Sequence, residues 1–146
     1  MYRWSSNIEA RVYGLTQRTI RVDDCIHHVW VSVDNSKPML LLLHGFSADH
    51  AVWLRFARHF THDYFVVIPD LAGHGETGYV LELDYGIDAQ AQRVCSMMKM
   101  LGHEHAHAVG NSMGGMIAAH IASHYQEQVL SLTVIDPAGI ATPKPS

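Results

Sequence analysis

Gly110-Asn111-Ser112-Met113-Gly114-Gly115 follows a short apolar run, residues 106–109, and precedes a helix-like stretch, residues 113–125. A strand, a sharp turn and a helix in that order is the context in which G-x-S-x-G carries meaning. The turn must be tight enough to lift a serine hydroxyl out at the top of a sheet. Such a turn strains the serine's backbone, and side chains two positions to either side would collide; glycine at 110 and 114 removes them. The helix that follows aims unpaired N–H groups and the positive end of its dipole at the same point. An oxyanion forming there would be stabilised, which makes Ser112 the candidate nucleophile. The plainer reading is a glycine-rich turn with an incidental serine, and the rest of the chain decides between them.

On either side of that turn, strand and helix patterns alternate from residue 39 onward. Residues 39–43 are five apolar residues without alternation, as expected of a central parallel strand covered on both faces, and His44-Gly45-Phe46 ends it. The spacing of Val52, Trp53, Phe56, Ala57 and Phe60 predicts a helix over 49–60. Residues 64–68 form the next buried strand, closed by Pro69-Asp70 and a loop, Leu71-Ala72-Gly73-His74-Gly75. Ile87, Ala91, Val94, Cys95, Met98 and Leu101 repeat at helical spacing and Gly102 stops that helix. Residues 129–135 make a last strand. Ahead of residue 39, residues 16–22 and 26–33 alternate apolar and polar around Asp23-Asp24, the pattern of an antiparallel hairpin. The fold class is therefore α/β: an N-terminal hairpin, then a parallel wound sheet with helices on its faces. One domain is expected, with 1–15 an extension carrying a short amphipathic helix ending at Gly14, 16–136 the core, and 137–146 the start of a loop.

Composition fits this. The 146 residues are 48% hydrophobic and 16% charged, a globular balance. A net charge of −4 and a pI near 6.3 leave no basic patch for nucleic acid. Cys25 and Cys95 have no metal or redox spacing, and Cys95 reads as core, which suits a reducing compartment. The start, Met1-Tyr2-Arg3-Trp4-Ser5-Ser6, lacks an apolar signal core, and no run reaches the roughly 18 apolar residues that span a bilayer. A cytoplasmic location without a transmembrane segment is the expectation.

In open α/β sheets ligands bind beyond the carboxyl ends of the strands, where the 44–48 loop, the 70–76 loop and the Ser112 turn meet. The backbone N–H groups of Phe46 and Met113 are the candidate oxyanion donors. His44-Gly45-Phe46-Ser47-Ala48 with Trp53, Asp70-Leu71-Ala72-Gly73-His74-Gly75, Ile87-Asp88-Ala89-Gln90, the Ser112 hexapeptide and Asp136-Pro137-Ala138-Gly139 together resemble the serine α/β-hydrolases, most closely the lipase and monoacylglycerol-lipase branch. The resemblance covers residues 16–143. It implies an α/β-hydrolase fold, an acyl-enzyme on Ser112, a small-molecule ester or lipid substrate such as an acylglycerol, and no cofactor. It places Phe46 and Met113 at the oxyanion hole and His74 in a structural loop. Serine at 112 argues against epoxide hydrolases and dehalogenases. C–C bond hydrolases of ring-fission products also carry this hexapeptide and stay open as an alternative.

The chain departs from the family's order of Ser, then acid, then His. After Ser112 the only histidines are His120 and His124, and the later acids are Glu127 and Asp136. His120 lies eight residues along the departing helix, roughly 12 Å away at 1.5 Å per residue, beyond the reach of a general base. The family's histidine and acid are thus expected beyond Ser146, so that only the N-terminal part of the fold is present, without the last strands and the lid. Asp136 is a secondary acid candidate, and His44 and His74 are substitute bases at the correct edge. His103-Glu104-His105-Ala106-His107 invites a metal, but no carboxylate or cysteine set completes a tetrahedral site, so no metal is expected. A strand at 129–135 with nothing beyond it leaves an open edge, hence possible self-association and an incompletely covered sheet. A non-catalytic remnant or interaction module is the alternative from another class.

Overall fold

The computed structural model describes residues 2–141. Helix α1 (Tyr2–Val12) leads into the hairpin β1 (Leu15–Val22) and β2 (Cys25–Ser32), which pair antiparallel from Leu15↔Ser32 to Val22↔Cys25. Strands β3 (Met39–Leu43), β4 (Phe65–Pro69), β5 (Ala106–Asn111) and β6 (Val129–Ile135) follow. The described residues form one six-stranded sheet in the order β1-β2-β4-β3-β5-β6. β3 pairs parallel with β4 and β5, and β5 with β6; β2 meets β4 antiparallel. The sheet is therefore mixed, with the hairpin appended to a parallel core.

Every residue of β3 and β4 is buried. Their pattern hides an alternation, because both faces are apolar. Met39, Leu41 and Leu43 face α3 (Ile87–Met100) and α4 (Met113–His124), packing with Val94, Met98, Ile117 and Ile121. Leu40 and Leu42 face Trp30, Trp53, Leu54 and Ala57 on the other side, where Ala10 of α1 also packs. The amphipathic extension is thus part of the second core. Cys25 and Cys95 are free, buried thiols, and burial pushes Cys95 up to about 11, a chemically quiet state.

One element differs from its sequence pattern. Residues 49–60 hold a 3₁₀ turn (His50–Trp53) and a single α-turn, α2 (Leu54–Ala57), rather than one helix. Asp49 caps the turn by accepting from the Ala51 N–H at 2.9 Å. Beyond Ala57 the chain tightens into i→i+3 bonds, His59 N–H to Phe56 O and Phe60 N–H to Ala57 O, which swing it back into β4. The apolar spacing still had a cause. Trp53 and Ala57 are buried while Phe56, Phe60 and Tyr64 form a row of tilted and edge-on rings, with centroids 4.7 and 6.1 Å apart; Val52 is exposed.

β6 pairs only with β5 among the described residues, and its outer edge is open. Leu130, Leu132, Val134 and Ile135 are all exposed. On the face away from α4 a groove of about 270 Å³ runs between the Phe56–Phe60–Tyr64 row and Ser131, Thr133 and Ile135. Residues 137–141 carry no helix or strand; the rest of the expected loop, 142–146, lies outside the described residues. No described helix is long and apolar enough to cross a membrane.

Candidate functional site at the carboxyl edge of the sheet

β5 ends and α4 begins at one residue. Ser112 has φ 52° and ψ −116°, a backbone state that a non-glycine residue holds only when its surroundings over-determine it. Those surroundings are specific. Its N–H donates to Ile135 O at 3.0 Å, and its carbonyl accepts from Met116 N–H at 3.1 Å and Ala138 N–H at 3.0 Å. The end of β6 and the segment after it thus clamp the turn from one side. From the other, the glycines let backbones touch. A Cβ at Gly114 would overlap the Leu43 carbonyl and sit 2.6 Å from His44 O; one at Gly110 would meet the Gly114 carbonyl and lie 2.6 Å from Gly115 N. The Ser112 side chain makes no bond to its own helix, so the hydroxyl is not consumed as a cap.

The loop after β3 lies against this turn. A Cβ built at Gly45 would stand 3.2 Å from Ser112 Cβ. Ser47 also has a positive φ, 60°. Neither the Phe46 nor the Met113 backbone N–H is taken by another described residue. Met113 is the first residue of α4, where such orphan donors are expected. Phe46 and Met113 both line a cleft of about 360 Å³ with Ala72, His74, Tyr79 and Tyr85. Tyr79 and Tyr85 stack with centroids 5.2 Å apart, and the Tyr85 hydroxyl bridges Val80 N–H (2.8 Å) and Val80 O (3.1 Å), which stiffens that wall.

The histidines at this edge have other employment. His44 is fully buried. Its Nε2 accepts from the Leu71 N–H at 3.0 Å, so its Nδ1 must carry the proton it shares with Gly45 O at 2.8 Å. Burial lowers its pKa, with only partial compensation from the Gly45 carbonyl. A neutral ring with both nitrogens engaged cannot take a proton from Ser112, which removes His44 as a substitute base. His74 donates Nδ1–H to Ala72 O at 3.0 Å inside its own loop and makes no hydrogen bond to Ser112. His120 bonds Asp88 at 2.9 Å, tying α4 to α3, and stacks on His124. His103, His105 and His107 bond Asn35 O, Glu127 O and the Ser131 hydroxyl separately. No described group of three or more His, Cys, Asp or Glu converges as a metal site would require. Asp136 is exposed at a positive φ of 43°, and no described histidine bonds it.

A pair absent from the sequence-based candidates supports the site from beneath. Asp70 is fully buried, and its carboxylate accepts from His50 N–H (2.7 Å), His50 Nδ1 (3.0 Å) and Glu76 N–H (2.9 Å). Burial raises the carboxyl's pKa, but the His50 ring and these N–H donors outweigh it and hold it below the ordinary value. His50 is not a catalytic base. Its Nε2 is enclosed without a partner, and its ring lies 5.3 Å from Trp30 in the second core. The sequence signal was available in Asp70 and Gly75. A Cβ at Gly75 would stand 2.7 Å from Asp70 Oδ1, so glycine there marks a buried carboxylate.

Residues 38–146 match the family described as the alpha/beta hydrolase fold. The monoacylglycerol lipase ABHD6 of Bos taurus is 34% identical over 134 residues, covering 89% of this chain and 40% of that protein. Lipase 3 of a Moraxella species is 39% identical over 101 residues, covering 68% of this chain and 32% of its own. The crystal structure of a membrane phospholipase A, a bacterial virulence factor, superposes with a TM-score of 0.92 at 39% identity, over 98% of this chain and 46% of that one. The chain spans less than half the length of these relatives. The sheet order, the strained serine between β5 and α4 and these similarities agree: the chain belongs to the α/β-hydrolase fold family.

Proposed function

We propose that this chain carries the nucleophile and oxyanion hole of a serine hydrolase of carboxylic esters, the acyl group passing to Ser112. The observation that carries the reading is the strained Ser112 backbone, held on both sides by hydrogen bonds and glycine contacts. Strain of this kind costs about 1–3 kcal/mol, which packing alone has no use for. In this reading Ser112 Oγ forms a bond to the ester carbonyl carbon, its proton passes through solvent to the leaving oxygen, the Phe46 and Met113 N–H groups hold the developing oxyanion, and the bond to the alcohol breaks. The lipase names among its relatives favour acylglycerols or similar esters.

The test uses p-nitrophenyl butyrate. No described histidine hydrogen-bonds Ser112, and an oxyanion hole with binding alone leaves about 10³–10⁴-fold catalysis over water in other serine hydrolases. We expect a burst of p-nitrophenolate near one equivalent, slow deacylation, and a butyryl group on the peptide containing Ser112. Ser112→Ala should lose both. Butyryl found only on lysines, or a burst that survives Ser112→Ala, rejects the reading in favour of a non-catalytic module.

The open β6 edge bears on the state of the chain in solution. Its seven residues, Val129–Ile135, carry no charge and no proline to block pairing. We expect the sedimentation-average mass to rise with concentration, and Leu132→Lys to suppress the rise. A monomer at all concentrations rules out edge pairing.

A further inference from the structure

The aromatic cleft beside Ser112 contains a histidine whose Nδ1 is committed by geometry. His74 Nδ1 lies 3.0 Å from Ala72 O. A carbonyl only accepts, so Nδ1 carries the hydrogen, and in the neutral form of the ring Nε2 is the acceptor. That Nε2 has no hydrogen-bond partner and is not enclosed. The ring is held in place by His44 at 5.3 Å and by the edge of Phe46 at 5.6 Å. Phe46, Tyr79, Tyr85, Met113 and Ala72 supply apolar surface or ring faces, and Ser47 and Gln90 add polar atoms to the lining.

We infer that this cleft binds the hydroxyl-bearing part of an otherwise apolar ester, with His74 Nε2 accepting the hydroxyl hydrogen. An acceptor in a cleft walled mostly by apolar and aromatic side chains pairs with a neutral donor such as a hydroxyl. About 360 Å³ is at the small end of small-molecule sites and suits a short polyol with a few methylenes. The location matters because Phe46 and Met113 line the cleft. Their N–H groups are the proposed oxyanion donors, so a hydroxyl anchored at His74 would hold the ester group near Ser112. The inference rests on the ester-hydrolase reading for the identity of the ligand, not for its binding.

The experiment is a binding comparison, so it needs no turnover. The full chain, labelled with ¹⁵N, is titrated with 1-O-hexylglycerol and with its di-O-methyl analogue, which keeps the ether and the chain but has no hydroxyl. We expect the diol to bind at least tenfold more tightly and to shift the His74 Nε2 resonance, which the dimethyl analogue leaves in place. His74→Phe keeps an aromatic ring and removes the acceptor, and should bring the two affinities together. Tyr79→Ala, at an exposed wall position, should weaken both ligands alike. Equal binding of the two ligands to the unaltered chain, binding of neither, or a diol preference that survives His74→Phe overturns the inference. Failure of the Ser112 labelling with the diol preference intact would reject the catalytic reading and leave this site standing.

Discussion

Gly114→Ala should abolish acylation of Ser112, lowering its rate by at least about 100-fold, and should lower the melting temperature as well. The added methyl would stand 2.5 Å from the Leu43 carbonyl carbon and 2.6 Å from His44 O. Both are backbone atoms at the end of the central strand β3, so no side chain can rotate away. The first turn of α4 must back off instead. Overpacking of this kind costs typically 1–3 kcal/mol, and a displacement near 1 Å is enough to cost 10²-fold in a positioned reaction. The shift would separate Met113 N–H and Ser112 Oγ from the Gly45–Phe46 loop, so nucleophile and oxyanion donors fail together. Gly78→Ala is the control, because a Cβ there meets nothing within 4 Å; it should leave labelling and melting unchanged. Labelling of Gly114→Ala at the unaltered rate would show that the close approach of α4 to β3 is not what activates Ser112.

How far the sequence carries this picture differs from element to element. The Ser112 turn was legible because its glycines answer a local demand, and local demands leave marks at fixed offsets: 110 and 114 are the positions where backbones touch. Helix α3 was legible to within a residue because its apolar stripe is long and meets one core. The 49–60 segment was misread because the same spacing also serves a 3₁₀ turn followed by a row of ring contacts, and periodicity does not distinguish them. The roles of the histidines were the least legible. His44, His50 and His74 lie within about thirty residues of one another, yet one is a buried neutral spacer, one a carboxylate partner and one a tie within its own loop. Those roles are set by which nitrogen meets a carbonyl and which meets an N–H, a matter of ångströms in three dimensions. The Asp70–His50 bond spans twenty residues and two loops, so no spacing rule reports it.

Asp70→Ala should be the most destabilising single change in the chain outside the glycines. It strands the His50 N–H, His50 Nδ1 and Glu76 N–H in a site with no access to water, since Asp70 is fully buried. Removing one member of a buried pair costs about 3–5 kcal/mol. Near 4 °C per kcal/mol at this length, that lowers the melting temperature by roughly 10–20 °C. A fall under about 2 °C would mean that the loops hold themselves without the carboxylate. The pH profile separates the groups involved. Burial lowers the pKa of His27 and His44. The unfolded chain therefore takes up protons first, and stability falls as pH drops below about 6.5. The Asp70 carboxyl is held below its ordinary value, so its contribution is present above about 4 and is lost as pH falls through its folded value. The unaltered chain should lose stability in two stages on acidification. Asp70→Ala should lower the whole curve near neutrality, keep the first stage, and flatten the second, because a side chain that no longer titrates has nothing left to lose. An undiminished second stage in Asp70→Ala would assign it to other carboxylates, of which Asp88, bonded to His120 and Tyr125, is the next to examine.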